Sequence, residues 1–410
     1  MKPENAPAKK GAVAIIGAGQ LGQMLAEAAL HLGYTPHVLA KASDEPGAMV
    51  AGARVVLGDV TDPKVLAELL EPVNLVTFES ELTPAPVIAQ AAAYRTSSGR
   101  PVVIEPSPEV MAVCGDKLSQ KALLNTLGVP TARFEALPSG GSPSSWIEGL
   151  AVRFGGASVI KWARGGYDGR GTMVFRGDRS ELAAAKAFVE QATAQGSAVY
   201  AESFVPFTSE LAVVTSRSIH GDTVQYPPVM TTQRSGICTE VEGPAASLGL
   251  SPATIEAALS YARRIGESLR IAGTYAVEYF VQSDATVVVN EIAPRVHNSG
   301  HFTLDGADTS QFENHWRGVL GLPLGSAGTK PYFGMVNLIG GGTFVGAVRE
   351  GFKLVAPGVS SYWYGKAEVR PGRKIGHVNL VADSASQLRQ RIELVKVEID
   401  KWQSSLTRGQ

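Results

Sequence analysis

Four short β-rich runs, Ala12 to Ile16, Thr35 to Leu39, Arg54 to Leu57 and Asn74 to Phe78, alternate with helical stretches through the first hundred or so residues. A strand-then-helix rhythm buries its apolar faces by laying helices on a mostly parallel sheet, so the chain is expected to open with a small doubly wound α/β domain. Its first strand runs into Gly17-Ala18-Gly19-Gln20-Leu21-Gly22 and then a helical stretch to about Leu32. The G-x-G-x-x-G spacing matches a dinucleotide fingerprint, but one check fails. The second strand ends Val38-Leu39-Ala40-Lys41, and the next acid, Asp44, lies in the following loop, too late to hold an adenosine ribose. A phosphate of another ligand at the helix N-terminus remains open.

A second glycine-rich segment, Lys161-Trp162-Ala163-Arg164-Gly165-Gly166-Tyr167-Asp168-Gly169-Arg170-Gly171, follows the apolar run Ala157 to Ile160. Glycines let backbone N–H groups close on an anion without Cβ interference, and Lys161 and Arg170 bring positive charge to the same oxygens. A hairpin turn with solvated charges would read the same way, so the loop needs support from elsewhere.

Support comes from Ala276 to Val281 and Val287 to Ile292, two β-rich runs separated by the turn Gln282-Ser283-Asp284. Each carries a carboxylate inside an apolar strand, and a buried carboxylate costs several kcal/mol unless it is partnered. Mg²⁺ takes one or two carboxylates and completes its octahedron with phosphate oxygens and water, which suits Glu278, Glu291 and Asn290 beside a nucleotide. The alternative is that both glutamates sit on a solvent face or pair with arginines. The next segment, Ala293-Pro294-Arg295-Val296-His297-Asn298-Ser299-Gly300-His301, places an arginine fork, histidines and an amide directly after the second run, a set able to hold a small planar anion.

Taken in order, Gly17 to Met24, Gly165 to Gly171, Asn290 to His301 and Arg370-Pro371-Gly372-Arg373-Lys374-Ile375-Gly376-His377 resemble the N5-carboxyaminoimidazole ribonucleotide synthetases, ATP-grasp enzymes of purine biosynthesis, over about Ala12 to Ala382. The resemblance implies a mixed α/β and α+β architecture. The expected division is 11–108 as the doubly wound substrate-side domain, 109–325 as the ATP-grasp domain and 326–410 as a small C-terminal domain over the site, while the polar, proline-containing composition of residues 1–10 leads to the expectation of a disordered tail there. It further implies that ATP is held by Lys117, Lys161, the four glycines of the loop, the hinge Glu202-Ser203-Phe204-Val205, Glu210, Gln233, Asn290 and Glu291. Glu202 would accept a hydrogen bond from the base or from water. Mg²⁺, or Mn²⁺ in its place, would sit on Glu278 and Glu291. Arg295, His297 and Asn298 would hold bicarbonate. Tyr167 and Asp168 would close over the site on the aminoimidazole side, and Arg170, with Lys161, would neutralise charge on the phosphoryl oxygens. Gln20, Leu21, Glu79, Lys366, Arg373 and Lys374 would hold 5-aminoimidazole ribonucleotide, Gln20 and the last-domain cations at its phosphate. The implied reaction is attack of bicarbonate on the γ-phosphate of ATP, giving carboxyphosphate, whose carboxyl group or derived CO₂ is captured by the exocyclic amine. Family members commonly dimerise.

The chain also departs from the family pattern. Met230-Thr231-Thr232-Gln233-Arg234-Ser235-Gly236-Ile237 stands where a Glu-Asn-x-His stretch is usual, and Gln233 carries neither the proton nor the charge of a histidine. Lys117 replaces an arginine, a point charge in place of a fork. Phe78-Glu79-Ser80-Glu81-Leu82 keeps both acids of the usual Glu-Phe-Glu-Asn but changes their neighbours. These changes keep a paralogous ligase acting on formate or on another amine as the alternative, and beyond it a nucleotide-binding regulator.

The balance of charge narrows the partners. Lys plus Arg number 37 against 38 Asp plus Glu, so no global field draws nucleic acid or an anionic membrane, and any phosphate site must be built locally. Cys114 and Cys238 are too few for a disulfide framework, and a reduced cytoplasmic setting is expected. No apolar stretch is long enough for a signal or a membrane span.

Overall fold

The computed structural model describes residues 11–166, 169–341, 346, 348 and 350–408, and among them the chain forms three sheets. Five parallel strands, β1 (Ala12–Ile16), β2 (Thr35–Ala40), β3 (Arg54–Leu57), β4 (Leu75–Phe78) and β5 (Val103–Ile104), lie in the order β3-β2-β1-β4-β5. Helices α1 (Gln20–His31), α2 (Pro63–Leu70) and α3 (Ala85–Ala93) make three of the four connections, and a 3-10 turn at Pro46–Met49 joins β2 to β3. Both faces of the sheet are covered: Val13, Ile15 and Val38 enter one apolar core, Ala14, Ile16 and Val76 the other. The strand order reverses between β1 and β4, where open α/β sheets form a crevice beyond the strand ends. That reversal brings Gly17 and Glu79, each one residue past its strand, side by side, and the Glu79 N–H bonds the Ile16 carbonyl at 3.1 Å.

Helices α4 (Pro108–Cys114) and α5 (Lys117–Thr126) lead into a four-stranded antiparallel sheet of β6 (Phe134–Ala136), β7 (Ser158–Trp162), β8 (Thr172–Phe175) and β9 (Val199–Ser203), ordered β6-β9-β7-β8. Helices α6 (Pro143–Phe154) and α7 (Leu182–Ala194) pack on it through Ile147, Leu150, Ala185 and Val189. Asp116 caps α5 by accepting from the Ser119 N–H at 3.0 Å and also pairs with Arg164 at 2.8 Å, so the first turn carrying Lys117 is tied to the glycine-rich loop.

The largest sheet contains β10 (Ser209–Arg217), β11 (Thr223–Gln225), β12 (Val229–Arg234), β13 (Ile237–Gly243), β14 (Gly273–Val281), β15 (Val287–Ala293), β16 (Tyr332–Ile339), β17 (Val359–Trp363) and β18 (Lys374–Ala382). Its order is β15-β14-β10-β12-β13-β16-β18-β17, with β11 on β10. Helix α8 (Pro252–Leu269) covers the face carrying Tyr275, Val277 and Tyr279. The short α9 (Thr303–Gly306) and α10 (Gln311–Val319) lie toward the first domain, and α11 (Ala385–Arg408) packs on β16 and β18. The segment from residue 326 onward, expected as a small C-terminal domain, continues the sheet of the preceding residues, with β16 pairing antiparallel to β13. No helix of the described residues is long and apolar enough to cross a membrane.

Candidate active site

Strand β14 alternates, so Tyr275, Val277 and Tyr279 face the α8 core and Glu278 faces the other way, half-buried. Glu278 pairs in register with Glu291 on β15, but the next pair is Tyr279 with Val289. Asn290 is thus the extra residue of a β-bulge, and the bulge turns Asn290 and Glu291 toward one cleft. Gln120, buried on α5, secures that edge: its amide donates to the Ile292 carbonyl at 3.1 Å and accepts from the Ile292 N–H at 2.8 Å.

Cations meet this edge from two elements. Lys117 Nζ lies 2.5 Å from Glu291 Oε2, and Lys161 Nζ donates to Asn290 Oδ1 at 3.2 Å. Burial, then the charges of Glu291 and Glu210, push the Glu278 carboxyl up to about 7. Crowded acids with one lysine among them are a donor set that a hard divalent cation would relieve. Among the described residues no group of three or more His, Cys, Asp or Glu could hold a metal by itself, so oxygens of another molecule would have to complete the shell.

Glu202 was expected to accept from the base or from water. It is buried, with Oε1 3.1 Å from Lys121 Nζ, Oε2 3.1 Å from Lys161 Nζ and the Tyr200 hydroxyl donating to Oε1 at 3.0 Å. Burial alone would raise its pKa, but the two ammonium groups win and hold it at about 2. Its carboxylate is engaged by the two lysines and the Tyr200 hydroxyl. Lys121, which carried no assigned role, is 1% exposed, and burial pulls it down to about 8 against the charge of Glu202. Its helical spacing of four from Lys117 was the available signal. At the hinge, the N–H groups of Ser203 and Phe204 bond the carbonyls of Arg133 and Ala157, Phe204 is exposed and Val205 half-buried. Glu210 and Gln233 meet, the Gln233 backbone N–H bonding the Glu210 carboxylate, whose pKa burial raises.

In the glycine-rich loop Gly165, Gly169 and Gly171 have positive φ, and a Cβ on Gly169 would lie 2.7 Å from the Ser235 carbonyl, so this loop packs on the tip of the β12–β13 hairpin. A Cβ on Gly166 would lie 2.8 Å from the Arg170 carbonyl, and Arg170 is exposed. Tyr167 and Asp168 lie outside the described residues.

The anion-holding segment is more committed to the protein than its composition implied. Arg295 turns its fork to Glu81, Nε to Oε2 at 2.5 Å and Nη2 to Oε1 at 3.0 Å, and this ion pair outweighs burial to keep Glu81 below the usual carboxylate range. The Asn298 amide exchanges hydrogen bonds with Asn337, at 3.0 and 2.7 Å, and Asn337 also donates to the Cys238 carbonyl. His297 remains aimed at the cleft, with Nε2 3.6 Å from Glu278 Oε1. His297 Nδ1 lies 2.8 Å from Ser299 Oγ and accepts from the Ser299 N–H at 3.3 Å, a pattern that fits a ring proton on Nε2, and burial, with Arg295 and Lys374, lowers the His297 pKa to about 3.

On the substrate side, Lys366 Nζ donates to Gln20 Oε1 at 2.9 Å and to the Lys374 carbonyl at 2.7 Å, joining residues 346 apart in sequence. Arg373 donates to the Glu368 carbonyl, and the charge of Lys374 is felt at Glu278. Leu21 packs on the apolar core. The Gly17–Gly22 turn differs from the phosphate cradle expected of it, because Glu79 fills it, accepting from Gly19 at 3.0 Å and Gly22 at 2.8 Å.

A four-stranded antiparallel sheet beside a larger sheet that carries two facing carboxylates is the arrangement of ATP-grasp enzymes, and residues 122–312 match the ATP-grasp domain family. Residues 11–115 match the ribonucleotide synthetase preATP-grasp domain and 334–391 the phosphoribosylaminoimidazole carboxylase C-terminal domain. The N5-carboxyaminoimidazole ribonucleotide synthase of Synechococcus elongatus is 38% identical over 377 residues, 91% of this chain and 90% of that protein. Among solved structures, the Thermus thermophilus synthetase superposes with a TM-score of 0.78 at 34% identity, covering 92% of this chain and 96% of the other. The Aspergillus clavatus synthase in complex with ADP and 5-aminoimidazole ribonucleotide does so with a TM-score of 0.80 at 27% identity, covering 96% and 99%. The chain belongs to the N5-carboxyaminoimidazole ribonucleotide synthase family.

Proposed function

We propose that this chain carboxylates 5-aminoimidazole ribonucleotide with bicarbonate at the expense of ATP, yielding N5-carboxyaminoimidazole ribonucleotide, ADP and phosphate. The observation that carries this reading is the Glu278–Glu291 pair, flanked by Lys117 and Lys161 on one side and by His297 on the other. A nucleotide phosphate and a small anion can therefore meet over one pair of carboxylates. Mg²⁺, with Mn²⁺ as a substitute, would be held by Glu278 and Glu291 and would neutralise charge on the transferring phosphoryl group.

Lys161 and Lys117 steady the phosphate oxygens as negative charge spreads onto them. The neutral His297 offers its Nε2–H to bicarbonate. Asn298 keeps one N–H beyond its pair with Asn337, and Arg295, anchored on Glu81, supplies charge more than a free fork. One bicarbonate oxygen attacks the γ-phosphorus as the bond to the β-bridging oxygen breaks. The resulting carboxyphosphate, or CO₂ from it, passes its carbon to the exocyclic amine, which loses a proton, and phosphate leaves. Water must be excluded meanwhile, a task for the glycine-rich loop and the β12–β13 hairpin that packs on it. Gln20 and Lys366 fit the 5′-phosphate of the ribonucleotide.

A cytoplasmic homodimer is the expectation that accompanies this assignment, and sedimentation would measure the assembly. The activity is tested by mixing the protein with ATP, Mg²⁺, bicarbonate and aminoimidazole ribonucleotide and following phosphate release with each component omitted. Label from bicarbonate must appear in the ribonucleotide product. Label from formate appearing instead would replace this reading with the paralogous one.

A further inference from the structure

We propose that Gln311 is a positioning residue for the bicarbonate site, acting through the backbone of His297. The inference rests on the function proposed above. Gln311 opens α10, is fully buried, and clips one residue from both sides: its Oε1 accepts from the His297 N–H at 2.9 Å and its Nε2 donates to the His297 carbonyl at 2.7 Å. A single amide thus reaches both backbone polar groups of one residue, as Gln120 does for Ile292; the His297 carbonyl also takes the Gly300 N–H at 3.0 Å, so it is the His297 N–H that depends on Gln311.

The clip is itself fixed. The Gln311 N–H donates to Thr303 Oγ1 at 2.9 Å, Thr303 Oγ1 donates to the Gly300 carbonyl at 2.7 Å, and Ser310 caps the helix. Gly300 is part of the same device, because a Cβ there would lie 2.5 Å from Gln311 Oε1. Held at its backbone and at Nδ1, the His297 ring keeps Nε2 toward Glu278. If Gln311 served only to fill space, an apolar chain of the same length would do equally well.

Two substitutions reach the clip from opposite sides. Gln311→Met keeps length but removes donor and acceptor, and Gly300→Ala leaves the glutamine and displaces it. In both, kcat/KM for bicarbonate should fall about tenfold or more, as for a buried hydrogen-bonding group left unpaired. Calorimetric ADP–Mg²⁺ affinity should stay within about twofold, which also reports an intact nucleotide domain. Unchanged bicarbonate kinetics, or an equal loss of ADP binding, would overturn the proposal. Imidazole ¹⁵N spectra of the unliganded protein read the clip without turnover: the His297 signals should move in Gln311→Met while those of the exposed His220 do not. An unmoved His297 overturns the clip whatever the activity. Absence of bicarbonate-dependent turnover in the unaltered protein, with His297 moving in the variant, would instead remove the functional reading.

Discussion

The Glu79 carboxylate takes the backbone N–H of Gly22 at 2.8 Å, with Gly19 completing the pair, and so occupies the anion cradle at the head of α1. The glycine spacing needs no nucleotide to explain it, since a Cβ at Gly17 would lie 2.2 Å from Glu79 Cγ. Burial raises the Glu79 pKa, while the two N–H groups and Arg295 favour its charge.

A dinucleotide pyrophosphate entering that cradle would displace a resident anion and find no ribose acceptor at Ala40 or Lys41. Titrations with NAD and NADP should therefore give no micromolar binding, and a titration with aminoimidazole ribonucleotide should. The opposite pattern would undo both the domain assignment and the function.

Replacing Glu291 by Gln keeps volume but removes a charge from the cleft, along with the 2.5 Å partner of Lys117. Turnover should fall on the order of a thousand-fold, while circular dichroism shows a folded protein. A variant retaining more than about a tenth of the activity at saturating Mg²⁺, an effect of only ~1.4 kcal/mol, would show that Glu291 holds no metal.

Glu278 gives that site a pH dependence. Its carboxyl is raised to about 7 by burial and by Glu291 and Glu210, and a cation binds the ionised form. ADP–Mg²⁺ affinity should weaken as pH falls below about 7, with a proton released on binding near and below that value. Calorimetry in buffers of different ionisation enthalpy measures both, and a flat affinity with no proton release would contradict the assignment.

His315 links the first domain to the large sheet, its Nδ1 accepting from the Thr274 N–H at 3.1 Å and its Nε2 bonding Thr77 Oγ1 at 2.8 Å. Burial lowers its pKa from 6.5 to about 3, so the native state binds fewer protons than the unfolded chain between those values. The stabilisation is full above about 6.5 and is lost as pH falls toward 3, by at most about 1.4 kcal/mol per pH unit. His315→Gln, which can keep both bonds but does not titrate, should flatten this slope in urea unfolding measured across the range. An unchanged slope would remove His315 from the acid response.

What could be read in the sequence was residue type and period. Strands β1 and β3 lie where apolar runs placed them, and Glu278 and Glu291 were conspicuous as acids in apolar strands. The bulge at Asn290 was hidden, because one extra residue in a ladder leaves no compositional trace. Long-range partners were hidden for a different reason. Glu81 lies 214 residues from Arg295 and Asn337 lies 39 from Asn298, so groups that looked free for a ligand are engaged by side chains whose proximity only the fold creates. Glu202 shows the same limit, its two lysines arriving from α5 and β7.

Gln20 and Lys366, 2.9 Å apart, join the head of α1 to the loop before β18, where each offers a donor to a phosphate. With Glu79 filling the glycine turn, the substrate phosphate depends on these side chains more than on the backbone cradle. Gln20→Ala and Lys366→Ala should each weaken aminoimidazole ribonucleotide by roughly 1–3 kcal/mol, as for a lost charge-assisted hydrogen bond, and leave ATP affinity nearly unchanged. The two residues touch, so the double variant should lose less than the sum of the single losses. Calorimetric titration of the ribonucleotide and of a non-hydrolysable ATP analogue against all three variants decides it. Equal weakening of both ligands would mean that the contact only braces the domains, and strictly additive losses would mean that the two residues serve separate parts of the substrate.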